Sequence, residues 1–366
     1  MRTRWLAWTH SHPFGECRPI LVPIVEYNPD LFPDLQEMVS RLPGPMNLAH
    51  RPFVDYYYGS RNWSKLYLYF SESGRVVGTI GRELVPFEYE GREIMMRNGS
   101  NWFSVQRGVG GELLKYSTRA NPNSVGFMLL ASDEAVKVFH HYGWVPVPGV
   151  HGYFLNGCSL YPWDSWWKAA ANSVVRHFAG NRPSDFISRI QSNGSAGISV
   201  CEEHSYTADL LPRRSPFRLR FAPTLEYLDW RYNLSLSFVR YRLFRIVVGG
   251  ASVGYVILNE SPHQIIVAQC DGEDAGVLAY GILLALAHVG ASDRKPRTMF
   301  LSCCHAEMRE VLEKFGFRAW LRTSLPCAFH GVPADFNLTE TSRWLMNYDW
   351  SDNGLQGPFL DQVVGD

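Results

Sequence analysis

The sequence predicts an α+β protein made of two tandem copies of one unit, each a mixed, largely antiparallel sheet flanked by helices. Three observations carry that prediction. The chain has 366 residues, too many for one ordinary core and suited to two domains of roughly 150 to 200 residues. An internal repeat runs through it: Phe53-Val54-Asp55-Tyr56-Tyr57-Tyr58 matches Tyr227-Leu228-Asp229-Trp230-Arg231-Tyr232, with the two aspartates 174 positions apart. Phe70 and Phe244 keep that spacing, Gly78 and Gly254 stand 176 apart, and Gly143 and Gly316, each followed by an aromatic residue, stand 173 apart. Finally, both halves show strand–turn–strand patterns followed by helical ones, in the same order.

In the first half an opening strand is expected over 20–27 (ILVPIVEY), helices over 30–42 and 51–59, and alternating strands from 66 to about 105. A glycine-rich turn then opens a helix near 112, the strand VGFMLLA follows at 125–131, and the helix DEAVKVFHHYG at 133–143 ends at its glycine. The second half repeats this with YRLFRIVVGGASVGYVI as strand, turn and strand, and with VLEKFGF at 311–317 as the matching helix end. The most apolar run, 276–290 (GVLAYGILLALAHVG), is too short to span a bilayer comfortably and carries His288, so it reads as a helix buried in a protein core. From His151 to Pro223 the pattern is less regular: a helix is expected over 163–180, then the basic stretch PRRSPFRLR at 212–220. These patterns set an N-terminal domain at 1–160, a helical and basic linker at 161–215 and a C-terminal domain at 216–366.

Composition narrows the function classes. Hydrophobic residues make up 46% and charged ones 19%, enough apolar surface to fold. Lys plus Arg equals Asp plus Glu at 35 each, so no global charge excess draws in nucleic acid or an anionic membrane, and neither is expected as a partner. The seven cysteines are scattered without a CxxC, which supports neither a disulfide framework nor a zinc ribbon; no metal centre is expected, and His10 and His12 form a pair without a third ligand. The first sixteen residues lack the apolar core and cleavage pattern of a signal peptide, so the expected location is the cytoplasm.

The stretch Gln106-Arg107-Gly108-Val109-Gly110-Gly111-Glu112-Leu113-Leu114-Lys115 carries the chemistry. Its order is strand, glycine-rich turn, helix. Such a turn exposes consecutive N–H groups, the helix N-terminus adds roughly half a positive charge, and Arg107 adds a full one, which together suit a pyrophosphate. Taken by itself the same turn serves equally as a plain connection. The stretch at 271–276 reads differently: Asp271, Glu273 and Asp274 precede Ala275-Gly276, three carboxylates that repel a phosphate but suit an ordinary helix start.

The order of hairpins, RGVGGELL, a strand ending at Ser132 and a helix ending Phe-His-His-Tyr-Gly-Trp resembles the GNAT acyltransferase superfamily. Arg107-Gly108-Val109-Gly110-Gly111 matches the first five positions of its cofactor loop, and Glu112 departs at the sixth. The tandem as a whole, with LEYLDWRY and the tail Trp344-Leu345-Met346-Asn347-Tyr348-Asp349, resembles a bacterial tandem-GNAT group associated with polysaccharide biosynthesis.

The resemblance implies an N- or O-acyltransferase using acetyl-CoA or another acyl-CoA, acting on a small metabolite or amino sugar, with cofactor and chemistry in the first domain. It implies cofactor contacts from Arg107, Gly108, Val109, Gly110, Gly111, Glu112, Ser132 and Phe139. Phe139 and Leu312 stand where many relatives place a proton-donating tyrosine, so His140 or Tyr142 is the candidate acid, or the thiolate leaves unaided. Glu83 and Glu88 on the hairpin strands, and Asn98, Ser100 and Asn101 before the loop, stand where the superfamily often places a base or a water-holding group, with Glu83 and Asn101 as the chosen candidates.

Other residues carry blander expectations. Cys303-Cys304-His305 reads as small core cysteines rather than a nucleophile and its base. Arg213, Arg214, Arg218 and Arg220 read as a solvated linker or as a seat for an anion. Two other accounts of the whole remain: a binding or scaffold protein that has lost catalysis, and a Fem-like transferase whose donor is an aminoacyl-tRNA.

Overall fold

The computed structural model describes residues 6–7, 20–21, 24–42, 47–59, 63–129, 131–157, 170–171, 174, 188–190, 192, 197–262, 264–291, 297–320, 325–347 and 349. They fall into two compact units, Met1–Glu83 with Ser100–Pro122, and Leu84–Gly99 with Asn123–Asp366. The helix expected over 163–180 lies outside the described residues apart from 170, 171 and 174, as do His10, His12 and Tyr348.

Two short strands, β1 (Leu6–Ala7) and β2 (Ile20–Leu21), pair with each other. The first unit continues with β3 (Ile24–Glu26), α1 (Phe32–Val39), α2 (Arg51–Gly59) and β4 (Ser64–Phe70). Next come the opening part of β5 (Val76–Tyr89), the closing part of β6 (Arg92–Ser104) and α3 (Val109–Arg119). The helices α2 and α3 form because their apolar residues recur at helical spacing: Phe53, Val54, Tyr57 and Tyr58 are buried on one, Val109, Leu113 and Leu114 on the other. The helix expected near 112 begins at Val109, because Gly108 at φ +87 already turns the chain into it.

The second unit holds the rest of β5 and β6, then β7 (Val125–Leu129), α4 (Asp133–His141), β8 (Val145–Pro146), β9 (His151–Leu155), β10 (Ile198–Glu203) and β11 (Leu219–Phe221). It continues with α5 (Leu225–Arg231), β12 (Tyr241–Val248), β13 (Ala251–Glu260), β14 (Gln264–Gly272), α6 (Ala275–Gly290), β15 (Thr298–Cys303), α7 (Ala306–Lys314), β16 (Arg318–Trp320) and β17 (Cys327–His330). Its core is built on α6, where Leu278, Ile282, Leu283 and Leu286 are fully buried against Ile246, Val256 and Ile265 of the sheet. Each such side chain contributes about 1.5–3 kcal/mol. The apolar run is therefore a core helix, and among the described residues no helix is long and apolar enough to cross a membrane.

The strand orders are β3-β4-β5-β6-β7-β17-β8, with β11 along β5, and β10-β12-β13-β14-β15-β9-β16. Each has one short parallel pair. Met96–Asn98 of β6 pair with Val125–Phe127 of β7, and Gln264–Ile266 of β14 pair with Thr298–Phe300 of β15. The sheet of the second half thus receives β9 from the first half, between β15 and β16. In return β17, from the second half, lies between β7 and β8. Nothing in the hydrophobic pattern distinguishes a strand that stays from one that crosses.

Candidate functional site

In the first unit the glycine-rich turn leads directly into a helix start. Gly108 is the N-terminal boundary residue of α3, in the left-handed region, and among the described residues no side chain caps the helix. The amides of Val109, Gly110 and Gly111 therefore open the helix without an intrahelical acceptor. Arg107, Gly108 and Glu112 are exposed and Val109 is buried, so the turn faces out while its valine anchors it. Glu112 is paired with Lys115 at 2.9 Å, which offsets its charge in the first turn. The Trp102 indole donates to the Gly110 carbonyl at 3.0 Å and ties the end of β6 to this turn.

Upstream on the same strands lies a buried polar cluster. Glu83 is 2% exposed and accepts a hydrogen bond from the Tyr57 hydroxyl. Asn101 is fully buried, with φ +47; its Nδ2 donates to the Tyr58 hydroxyl at 2.7 Å, and its carbonyl accepts from Thr79 Oγ1 at 2.8 Å. Ser100 Oγ shares a 2.9 Å hydrogen bond with the Tyr58 hydroxyl. Two buried polar atoms, Asn101 Oδ1 and Ser64 Oγ, have no partner among the described residues, and Ser64 stands directly across from Glu83 in the β4–β5 register. Sequence reasoning reached Glu83, Ser100 and Asn101 but missed Tyr57, Tyr58, Ser64 and Thr79. The signal was available in the FVDYYY repeat, whose tyrosines bring α2 to these strands.

The corresponding place in the second unit is closed by its own chain. Asp274 caps α6, its carboxylate accepting from the Val277 amide at 2.8 Å, and Glu273 accepts from the Arg213 amide and pairs with Arg214. Asp271 is buried and bonded to Arg220, which also holds Glu88 at 2.9 Å. These carboxylates are engaged, so the expected repulsive cluster is instead a set of caps and ion pairs. Arg218 likewise pairs with Glu90 and Glu340, so Arg218 and Arg220 are held in ion pairs while Arg213 and Arg214 are solvent-exposed as a linker would be, and Glu88 is committed to an arginine. Burial raises the Asp271 carboxyl from its ordinary 3.8 to about 7, although Arg220 and the Gly272 amide pull it down.

Past their three paired residues, β14 and β15 are bridged by the C-terminal segment. The Asn347 amide donates to Gln269 Oε1 at 2.6 Å and to the Cys270 carbonyl, while Ser302 Oγ donates to the Met346 carbonyl at 2.9 Å and Cys304 Sγ to that of Trp344. Asp349 pairs with Arg231, both buried. Cys303 is buried, and its thiol is pushed up to about 12 by burial. Cys304 is buried too, and burial likewise raises its thiol well above its ordinary value, so both cysteines are core thiols.

No family model matches the chain, and no curated protein matches it. Solved structures do. The structure of Saccharomyces cerevisiae N-myristoyltransferase with bound myristoyl-CoA aligns at TM-score 0.52 with 10% identity, over 94% of this chain and 95% of that one. A tandem GNAT protein from the clavulanic acid biosynthesis pathway aligns at 0.51 with 13% identity, over 85% of this chain and 99% of that one. A GCN5-related N-acetyltransferase from Kribbella flavida aligns at 0.50 with 14% identity, over 84% and 70%. The chain has a tandem GNAT fold. At these identities the likeness is one of fold alone.

Within the tandem GNAT fold, the remaining expected site residues lie on α4, in the second unit. Ser132 caps that helix, its hydroxyl accepting from the Ala135 amide at 3.2 Å. Phe139 is 2% exposed and packs on Trp144 with ring centroids 4.9 Å apart, as a core residue. His140 is exposed, and Tyr142 closes the helix half-buried, its amide bonded to the Val138 and Phe139 carbonyls.

Proposed function

We propose that the chain is an acyl-CoA-dependent N- or O-acyltransferase whose first GNAT copy carries cofactor and chemistry. The single observation behind this reading is the contrast between two helix starts. The N-terminus of α3 presents uncapped amides beside Arg107, and that of α6 is filled by Asp274. The residues present fit the group: a pyrophosphate would meet the amides of Val109, Gly110 and Gly111, which no side chain caps among the described residues. Arg107 supplies the charge, and Glu112, neutralised by Lys115, does not oppose it.

Acyl-CoA supplies an activated acyl thioester. This chain's own residues then do the rest. Glu83, held by Tyr57, would take a proton from the incoming amine or hydroxyl, and an N–H of Asn101 would donate to the charge developing on the acyl oxygen. With a phenylalanine at 139, the thiolate leaves without a donor there, which its ordinary pKa near 8.5 allows at neutral pH, or takes its proton from Tyr142 or His140. The acceptor in this reading is a small metabolite or amino sugar, with polysaccharide biosynthesis as its setting, an assignment that rests on family likeness.

A second reading, a binding protein that keeps the fold without turnover, is favoured by the buried Phe139. Calorimetric titration with acetyl-CoA tests both at their common point. One molecule is expected to bind per chain, and Arg107→Glu is expected to weaken binding at least tenfold. Absence of heat with the parent chain, or an unchanged affinity in the variant, sinks the coenzyme reading. Binding without release of free thiol across a panel of amino sugars leaves the binding protein.

A further inference from the structure

Only one glycine of the turn is required by its backbone angles. Gly108 has φ +87, whereas Gly110 and Gly111 stand inside the first turn of α3 without a positive φ. Glycine is a poor helix former because its backbone has the most freedom to lose. Two in succession leave the peptide group that joins them, the Gly110 carbonyl with the Gly111 amide, the least restrained in the helix. A close contact explains Gly110: a Cβ built on it would lie 3.4 Å from Trp102 Nε1 and 3.6 Å from two further indole atoms, so the ring lies against its α-carbon. From there the indole N–H donates to the Gly110 carbonyl at 3.0 Å. The strand that carries Trp102 is fastened to β5 on both sides of it. The Thr79 hydroxyl donates to the Asn101 carbonyl at 2.8 Å, and the Val105 amide to the Val77 carbonyl at 3.0 Å. The helix in turn rests on β5 at Gly78, where a Cβ would strike Val109 and Leu113.

In a helix each peptide carbonyl points toward the C-terminus and its amide toward the N-terminus. The Gly111 amide thus leaves the same peptide group on the side away from the indole, toward the helix start, where it has no intrahelical acceptor. We infer that Trp102 is a positioning residue for the coenzyme's pyrophosphate: its indole N–H fixes the Gly110–Gly111 peptide, so that the Gly111 amide is aimed at the anion before it arrives. A donor on the carbonyl also polarises the peptide and makes its amide a stronger donor. The inference rests on the acyl-CoA reading and goes further, because it gives a side chain one peptide group away from the anion a part in recognising it. A purely structural tie would steady the chain and treat every ligand of the first unit alike.

The full chain is titrated with acetyl-CoA, alone and in competition with inorganic pyrophosphate or with S-acetylpantetheine, which lacks the diphosphate. In Trp102→Phe, which keeps an aromatic ring and removes the N–H, acetyl-CoA and pyrophosphate should each bind about two- to tenfold more weakly, the worth of one hydrogen bond. S-acetylpantetheine should keep its parent affinity. If that variant does not fold, benzothienylalanine at position 102 takes its place, since sulfur there replaces the N–H within the same ring outline. A variant in which pyrophosphate binds as in the parent overturns the inference. So does one in which S-acetylpantetheine is weakened by an equal factor, because Trp102 is then a structural tie only. A parent chain on which pyrophosphate does not compete overturns it too, while coenzyme binding stands. A parent that gives no heat with acetyl-CoA overturns the acyl-CoA reading itself, and the two failures are told apart by that first titration.

Discussion

Gly108 has φ +87, and a Cβ built on it meets nothing within 4 Å, so the cost of a side chain there is conformational rather than steric. Gly108→Ala should therefore destabilise the chain by about 1–2 kcal/mol, the penalty of a left-handed L residue, read in a urea titration, and should weaken acetyl-CoA binding in the same preparation. An unchanged midpoint would mean the turn relaxes freely and was never held for a ligand. Asp271 gives a second test. Its folded carboxyl titrates at about 7 against an ordinary 3.8, so between those values the folded chain keeps a proton that the unfolded chain has released. Stability conferred by that proton is present at low pH and is lost as pH rises toward 7. Asp271→Asn should consequently gain melting temperature relative to the parent at pH 8 compared with pH 5; a pH-independent difference would acquit this carboxyl. The turn was legible in sequence because glycine, arginine and helix onset are adjacent. The Glu88–Arg220–Asp271 set was not, since Arg220 finds its partners 132 and 51 positions away.

Two helices at equivalent places in the repeat begin in opposite ways, and the difference lies in one residue each. Gly108 leaves α3 open, and Asp274 closes α6 by accepting from the Val277 amide. Removing that carboxylate with Asp274→Ala should cost about 1 kcal/mol, the usual worth of an N-cap, measurable by thermal or urea unfolding. It should not raise the number of coenzyme molecules bound per chain, because Asn347, Met346 and Trp344 still bridge β14 and β15. A second equivalent of acetyl-CoA bound to this variant would show that the cap alone excludes the ligand. At this scale the sequence is informative about the kind of each element and less so about its ends. The helices over 51–59 and 276–290 emerge within a residue, since their apolar spacing is strong, whereas the helix over 133–143 stops at His141. The bridging tail was invisible: its hydrogen bonds use side chains 77 and 78 positions away, and no local pattern announces them.

The repeat in the sequence suggests two domains that fold alone, yet the strands are traded. A fragment of residues 1–160 contains β7 without β17, whose Cys327–His330 pair with Gly126–Leu129, and leaves the Phe127 ring without its Phe329 neighbour at 5.0 Å. It also carries β9 with neither of its flanking strands, β15 and β16. A fragment of 216–366 has the converse defect, since Met299–Cys303 lose the strand spanning His151–Leu155. Each fragment thus exposes an apolar edge with unpaired amides and carbonyls, the arrangement that drives aggregation. The tandem copies are the expected domains by sequence, but each sheet is completed by the other half of the chain. Expressed separately, 1–160 and 216–366 should precipitate or give collapsed NMR spectra, and even together they should form a dispersed complex poorly, because β10, the strand that pairs with β12, is in neither fragment. Extending the second fragment to begin at 197 restores β10 beside β12, and co-expression with 1–160 should then recover cooperative unfolding and acetyl-CoA binding. A monomeric, cooperatively folded 1–160 would show that the exchange is dispensable and that the halves are domains in the full sense.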